Sequence, residues 1–418
     1  MNTMEKIKQL CAYIPTVGLL MLLCALPFPY SGFQRFSLYV AGVGYILDYV
    51  LNSRWKAWHW SKEKWAFLVL VAFYLCIPIR QLWDPTCNWL FYQKIETYMP
   101  FLVIGILGFL GFNHTLKLEY VASAMTLTCL YMAGVLAYHM AGVSVADFHS
   151  WRFELNEMRI RCLNSHMVVN VYCNMTLVFA AWTLLESSCS RWLKGIIGIL
   201  SIGIILGILM SEGRTGQLTL IALLVAFVIV WFYKQAWLKW LVLAMTVLAL
   251  CQGVYWYYNP RYHDSSAHDN PRLYIWRIGQ TMIKEKPIVG WGVSSAREEF
   301  IRRGMENENF RVHYLNEYEG YSMLHHGKVE YRIIHPHNVF IETAMEFGII
   351  GVVLLLLCLV LPIGLLPIGS MRWYLAACVF VFGMQAMFES LGSCLLPMWI
   401  PLLALIWRFN SRTAPQTT

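Results

Sequence analysis

The residues best suited to chemistry in this sequence cluster around His335-Pro336-His337-Asn338, and seven of the twelve histidines fall between His263 and His337. An imidazole takes up and releases a proton near neutral pH, so it can serve as a general base. His337 stands directly ahead of a long apolar run and is the first candidate for that role. The plainer reading is a helix-capping or interfacial histidine satisfied by backbone groups. His335 and His337, helped by His325 and His326, raise the question of a metal. No carboxylate sits at a firm ligand spacing, and such sites take three or four ligands, so no metal is expected. Arginines supply the complementary chemistry, because a guanidinium presents a rigid fork of donors to a phosphate. Arg214 lies in Ser211-Glu212-Gly213-Arg214-Thr215-Gly216 between two apolar runs, where a cation is costly and tends to be paired or functional. A snorkelling helix anchor, or a pair with Glu212, is the alternative there. Gly213 and Gly216 would leave the backbone open to a ligand. Arg272 and Arg297 each follow a helix start and are the loop cations favoured for an anion. Arg277, Arg302, Arg303 and Arg311 read as solvated, or as paired with Glu285, Glu298, Glu299, Glu306 and Glu308. Glu342 and Glu389 are candidate partners for His337.

These groups need a frame, and the composition names it. The chain has 418 residues, of which 58% are hydrophobic and 13% charged, against about 25% charged in soluble domains. Apolar runs near twenty residues recur, each able to cross a hydrocarbon core about 30 Å thick. The expected fold is therefore an all-α polytopic membrane protein with about twelve transmembrane helices, near 12–30, 35–51, 66–80, 96–112, 119–141, 166–186, 195–210, 217–233, 240–256, 338–366, 373–390 and 393–408. Met1 to Gln9 has no cleavable signal pattern, so the first run is expected to stay as a helix. Placing both termini in the cytoplasm gives the inside connections a twofold excess of Lys and Arg over the short outside ones. Arg214, the loops 81–95 and 142–165 and the long segment 257–337 then share the outer side. The expected division is residues 1–256 for spans one to nine, 257–337 for a large external loop, and 338–418 for spans ten to twelve with a short tail. Lys and Arg form no continuous stripe, so the net charge of +8 is not a nucleic-acid footprint. Ten of the twelve Cys sit in or beside apolar runs. Cys87 and Cys162 lie in polar loops on the outer side, and could pair if that compartment is oxidising.

Inside the long loop, Asn270-Pro271 starts a helix. Leu273, Trp276, Met282 and Ile283 fall on one face, and Pro287 stops it. After Gly290-Trp291-Gly292, Ser295-Ala296-Arg297-Glu298 has capping-box spacing and opens a second helix. Residues 304–334 show no period and read as a loop.

Three motifs in order carry a family resemblance: Arg272-Leu273 with Trp276, then Pro287-Ile288-Val289-Gly290-Trp291-Gly292, then His335-Pro336-His337-Asn338 followed by Phe340-Ile341-Glu342, Glu346 and Gly348-Ile349-Ile350-Gly351. This set resembles the signature of the O-antigen ligase and polymerase superfamily over about residues 205–355, with ligase favoured. The resemblance implies a glycosyltransferase of the bacterial inner membrane with a large periplasmic loop. The donor would be an undecaprenyl-diphosphate-linked glycan, the acceptor a lipid A–core sugar, and no metal or other cofactor would be needed. His337 matches the family's essential histidine, Arg214 its arginine beside the seventh span, and Arg272 the arginine before the Leu-x-x-Trp element. Arg297 matches a loop arginine more loosely. Polymerases and protein O-glycosyltransferases share the same residues. A transporter of lipid-linked sugars, from a different class, would use the arginines for binding alone.

Overall fold

In hydrocarbon a backbone must satisfy its own hydrogen bonds, so long apolar runs become helices. The computed structural model describes residues 3–28, 31–84, 86–111, 118–140, 166–209, 213–232, 247, 271–306, 322–325, 328–331, 336–366, 370–388, 399 and 401–403. The apolar helices are α1 (Thr3–Ala25), α2 (Ser31–Leu51), α3 (Lys64–Gln81), α4 (Trp89–Leu110), α5 (Leu118–Met140), α6 (His166–Leu185), α7 (Arg191–Leu209) and α8 (Arg214–Phe232). Two short helices follow, α9 (Pro271–Glu285) and α10 (Val293–Glu306), and then α11 (Val339–Leu365) and α12 (Ser370–Phe388). Among the described residues, six helices are long and apolar enough to cross a membrane: α1, α3, α7, α11 and most of α6 and α12. α2, α4, α5 and α8 fall at four further expected spans. The expected spans at 240–256 and 393–408 lie almost wholly outside the described residues.

The helices pack around buried Leu19, Tyr45, Phe67, Phe73, Phe101, Tyr172, Phe179 and Phe382. Their outer faces carry large apolar side chains in the open, including Leu10, Trp192, Ile199, Ile202 and Trp373. A soluble protein does not leave so much apolar surface uncovered, whereas lipid accepts it. α3 packs on α4 and α11, and α12 packs on α6, α8 and α11.

The two short helices form a separate small core in which Ile275, Met282, Ala296 and Phe300 close over Met345 of α11. The buried face of α9 is thus centred on Ile275 and Met282, with Trp276 and Ile283 partly buried beside them. Two expectations need correction. Ser295 is not a cap: α10 begins at Val293, its first turn closes on the Gly292 carbonyl (2.9 Å), and the Ser295 hydroxyl is drawn away to Asp84. The stretch 304–334 also holds a short hairpin within the otherwise helical fold. β1 (Ser322–His325) pairs antiparallel with β2 (Lys328–Tyr331), with His325 opposite Lys328, inside the stretch read as a loop. Four residues per strand are too few for a period to show in the sequence.

α11 is broken where it meets the loop that joins α9 to α10. Gly348 sits at φ 63°, ψ −157°, a conformation essentially restricted to glycine. The break exposes backbone groups, and residues 287–292 use them. Trp291 N donates to Met345 O (2.8 Å), Gly292 N to Glu346 O (2.9 Å), and Ile349 N to Pro287 O (2.8 Å). Arg80 of α3 then clamps the same loop, donating to the Val289 and Gly290 carbonyls at 3.0 Å each. Non-helical backbone at the head of a spanning helix is tolerated when protein groups satisfy it, as here.

Candidate active site

His337 occupies the turn that enters α11, in a left-handed backbone conformation (φ 47°) unusual for any residue but glycine. It is fixed from both sides. Trp276 of α9 donates its indole N–H to the Pro336 carbonyl (2.9 Å). Asn338 caps α11 by accepting from Ile341 N (3.0 Å), while its amide group donates to the Met387 carbonyl of α12 (2.9 Å). Asn338 is itself buried, and His337 is half-buried. A strained residue held by three helices has a position set by the fold and not by local preference.

Arg297 rides on α10, whose first turn is tied to α11 through Gly292 and Glu346. Gly292 (φ 90°) packs against Asp84, where a Cβ would collide with the carboxylate. Asp84 accepts from Ser295 and from Thr86 N (3.0 Å). Asn88, the cap of α4, accepts from the Ser294 hydroxyl (2.8 Å) and donates to Glu298 (2.9 Å). The 82–88 connection and the head of α10 therefore share one end of the helix bundle, together with the head of α11.

Glu342 and Glu346 lie one turn apart on α11, and Lys94 of α4 reaches both, at 3.2 Å and 2.9 Å. All three side chains are largely buried. Glu342, a candidate partner of His337 from the sequence, forms an ion pair with Lys94. Arg297 follows Ala296, which packs with Met345 of α11 beside Glu346. The pairing of Lys94 with Glu346 escaped the sequence reading because a lone Lys and a second Glu in apolar helices carry no local mark of each other. Next to this cluster, an open, largely apolar groove of about 410 Å³ is lined by Cys76, Ile79, Arg80, Trp83, Val289, Phe347 and Ile350.

Arg214 is the first residue of α8, inside the helix and not in a loop, and its side chain is exposed. Gly216 does not open the backbone to a ligand. It is buried, a Cβ there would meet Asn170, and Asn174 donates to its carbonyl (3.2 Å). Gln217 closes the α7–α8 turn by donating to Leu209 O (2.8 Å). α12 packs on both α8 and α11, linking the helix that starts at Arg214 to the helix that follows His337. The backbone of Arg272 lies in the first turn of α9, while its side chain is outside the described residues, as are His335, Glu389 and the Cys162 partner expected for Cys87. Arg277 is exposed on α9.

Arg302 and Arg303 behave as expected of structural ion pairs, and Arg311 lies outside the described residues. Arg302 binds Glu299 and Glu306, and Arg303 bridges Glu299 to Glu285 of α9. Hydrogen bonds from Arg302, joined by Arg303, hold the Glu299 carboxyl at about 2, well below the usual range. Burial raises the Tyr274 hydroxyl, with Arg277 opposing it. Among the described residues, no group of three His, Cys, Asp or Glu side chains is arranged to hold a metal.

Residues 199–356 match the family described as O-Antigen ligase. A protein of Rickettsia conorii named "Putative polysaccharide ligase" is 35% identical over 96 residues, which is 23% of this chain and 19% of that protein. The match thus spans about a fifth of the relative's length. The matched stretch runs from α7 to α11, so Arg214, Arg272, Arg297, His337 and Glu346 all fall inside it. Together the two findings support the O-antigen ligase superfamily.

Proposed function

Taking residues 199–356 as an O-antigen ligase domain, we propose that this chain is a glycosyltransferase of the bacterial inner membrane, working on its periplasmic side with both termini in the cytoplasm. It moves a glycan from undecaprenyl diphosphate to a sugar hydroxyl of lipid A–core. His337 accepts the proton of that hydroxyl. The oxygen attacks the anomeric carbon from the side opposite the diphosphate, the bond from that carbon to the diphosphate oxygen breaks, and the configuration inverts. Arg214, Arg297 and Arg272 bind the diphosphate and offset the charge it gains on leaving. Arg277 and His335 are supporting residues of the same loop sequence, and Glu342 and Glu389 are the candidate acidic partners of His337.

The observation that carries this reading is the clamping of His337 in a left-handed turn between α9, α11 and α12. A proton acceptor must be held within hydrogen-bond reach of its substrate, and a residue strained in this way is characteristic of working sites. The 410 Å³ groove between α3, the 287–292 loop and α11, apolar and open, offers a lipid chain a path.

The test has two arms. Purified full-length protein with synthetic donor and lipid A–core should form product, and His337→Ala should lower the rate by about 10²–10⁴-fold. Activity surviving that change would remove His337 as the base, and a wild type that binds donor without forming product would point to transport. A strain lacking the gene should show bare core while lipid-linked polymer accumulates. Core bearing a single unit would instead mean a polymerase, and unchanged lipopolysaccharide a protein glycosylase.

A further inference from the structure

Lys94 takes no part in the scheme above, yet it is firmly built into the region. It projects from α4 between two acidic residues of α11, 3.2 Å from Glu342 and 2.9 Å from Glu346, with only 12% of its side chain exposed. A stability role alone explains this arrangement poorly, since buried ion pairs seldom improve on apolar packing. The surroundings suggest another purpose. The Glu346 carbonyl accepts from Gly292, the Gly292 carbonyl starts α10, and Ala296, next to Arg297, packs on Met345. The backbone that carries Arg297 is therefore held against the turn of α11 that bears Glu346. Two acidic groups in this space would attract any cation within reach, and Arg297 is a cation assigned to the donor's diphosphate.

We propose that Lys94 is a positioning residue that occupies Glu342 and Glu346 and so prevents Glu346 from drawing Arg297 away from an anionic ligand. The role rests on the reading of Arg297 given above, but it concerns charge balance and can be measured without turnover. With Lys94 gone, Arg297 turns toward Glu346 and the diphosphate is held less tightly. With Lys94 and the Glu346 charge both gone, that competitor is absent and binding returns.

Full-length wild type, K94M, K94R and the K94M/E346Q double variant in detergent would be titrated with inorganic pyrophosphate, and donor KM and kcat measured in parallel. K94M should weaken pyrophosphate binding and raise donor KM about tenfold, with kcat within about threefold of wild type. K94R should stay close to wild type, and K94M/E346Q should recover to within about threefold. The proposal is overturned if K94M binds as wild type does, if the double variant stays as weak as K94M, or if both fail to fold, since Lys94 would then serve only the architecture. The expected binding pattern in a protein that transfers no glycan would leave this inference standing and defeat the ligase reading instead.

Discussion

At the scale of single residues, His337 combines a demanding backbone with a useful side chain. A left-handed conformation costs a non-glycine residue on the order of 1–3 kcal/mol, and this cost persists only where the surroundings over-determine it. Trp276 and Asn338 provide that constraint. Glycine adopts the same backbone freely, so His337→Gly separates the two roles of the position. We expect its thermal unfolding in detergent to stay within about 1 kcal/mol of wild type, while transfer is lost as completely as in His337→Ala. A large fall in stability with His337→Gly would mean that the imidazole mainly holds the turn together.

Among the elements, the junction between α11 and the 287–292 loop is the decisive one. The break at Gly348 lets Met345, Glu346 and Ile349 bond across to the loop, and that exchange sets the path into α10 and hence the place of Arg297. A Cβ on Gly348 would run into the Ile288 carbonyl and would also be strained by the backbone itself. Gly348→Ala is therefore expected to lower stability by at least about 1–3 kcal/mol, and to raise hydrogen exchange in α10 before the spanning helices respond. Uniform exchange throughout the protein would show that the junction does not act as a local unit.

For the molecule as a whole, the linked ends of α3, α4, α10 and α11 form one face, and Cys87 is exposed on it. The orientation proposed from the charge bias would put this face outside the cytoplasm. After mild reduction, a membrane-impermeant maleimide added to spheroplasts should label wild type more than Cys87→Ser. Labelling that depends on Cys87 only after lysis would invert the orientation and put the candidate site on the wrong side for a periplasmic acceptor.

Apolar runs near twenty residues, the rarity of charge and the Pro271 and Pro287 punctuation were sufficient to place most helices, because helix formation in lipid is governed locally. The position of His337 ahead of α11 was legible for the same reason, and Asn338 before an apolar run carried a capping signal that was there to be read. Ser295 shows the limit: its spacing satisfied a local rule, but Asp84, 211 residues away, made the better partner. The pairing of Lys94 with Glu342 and Glu346, the Arg80 clamp on the 287–292 loop and the break at Gly348 were decided by tertiary structure alone. Each is a meeting of distant segments, and a buried charge or freed carbonyl finds its partner by which helices pack together, a property that no single stretch of sequence contains.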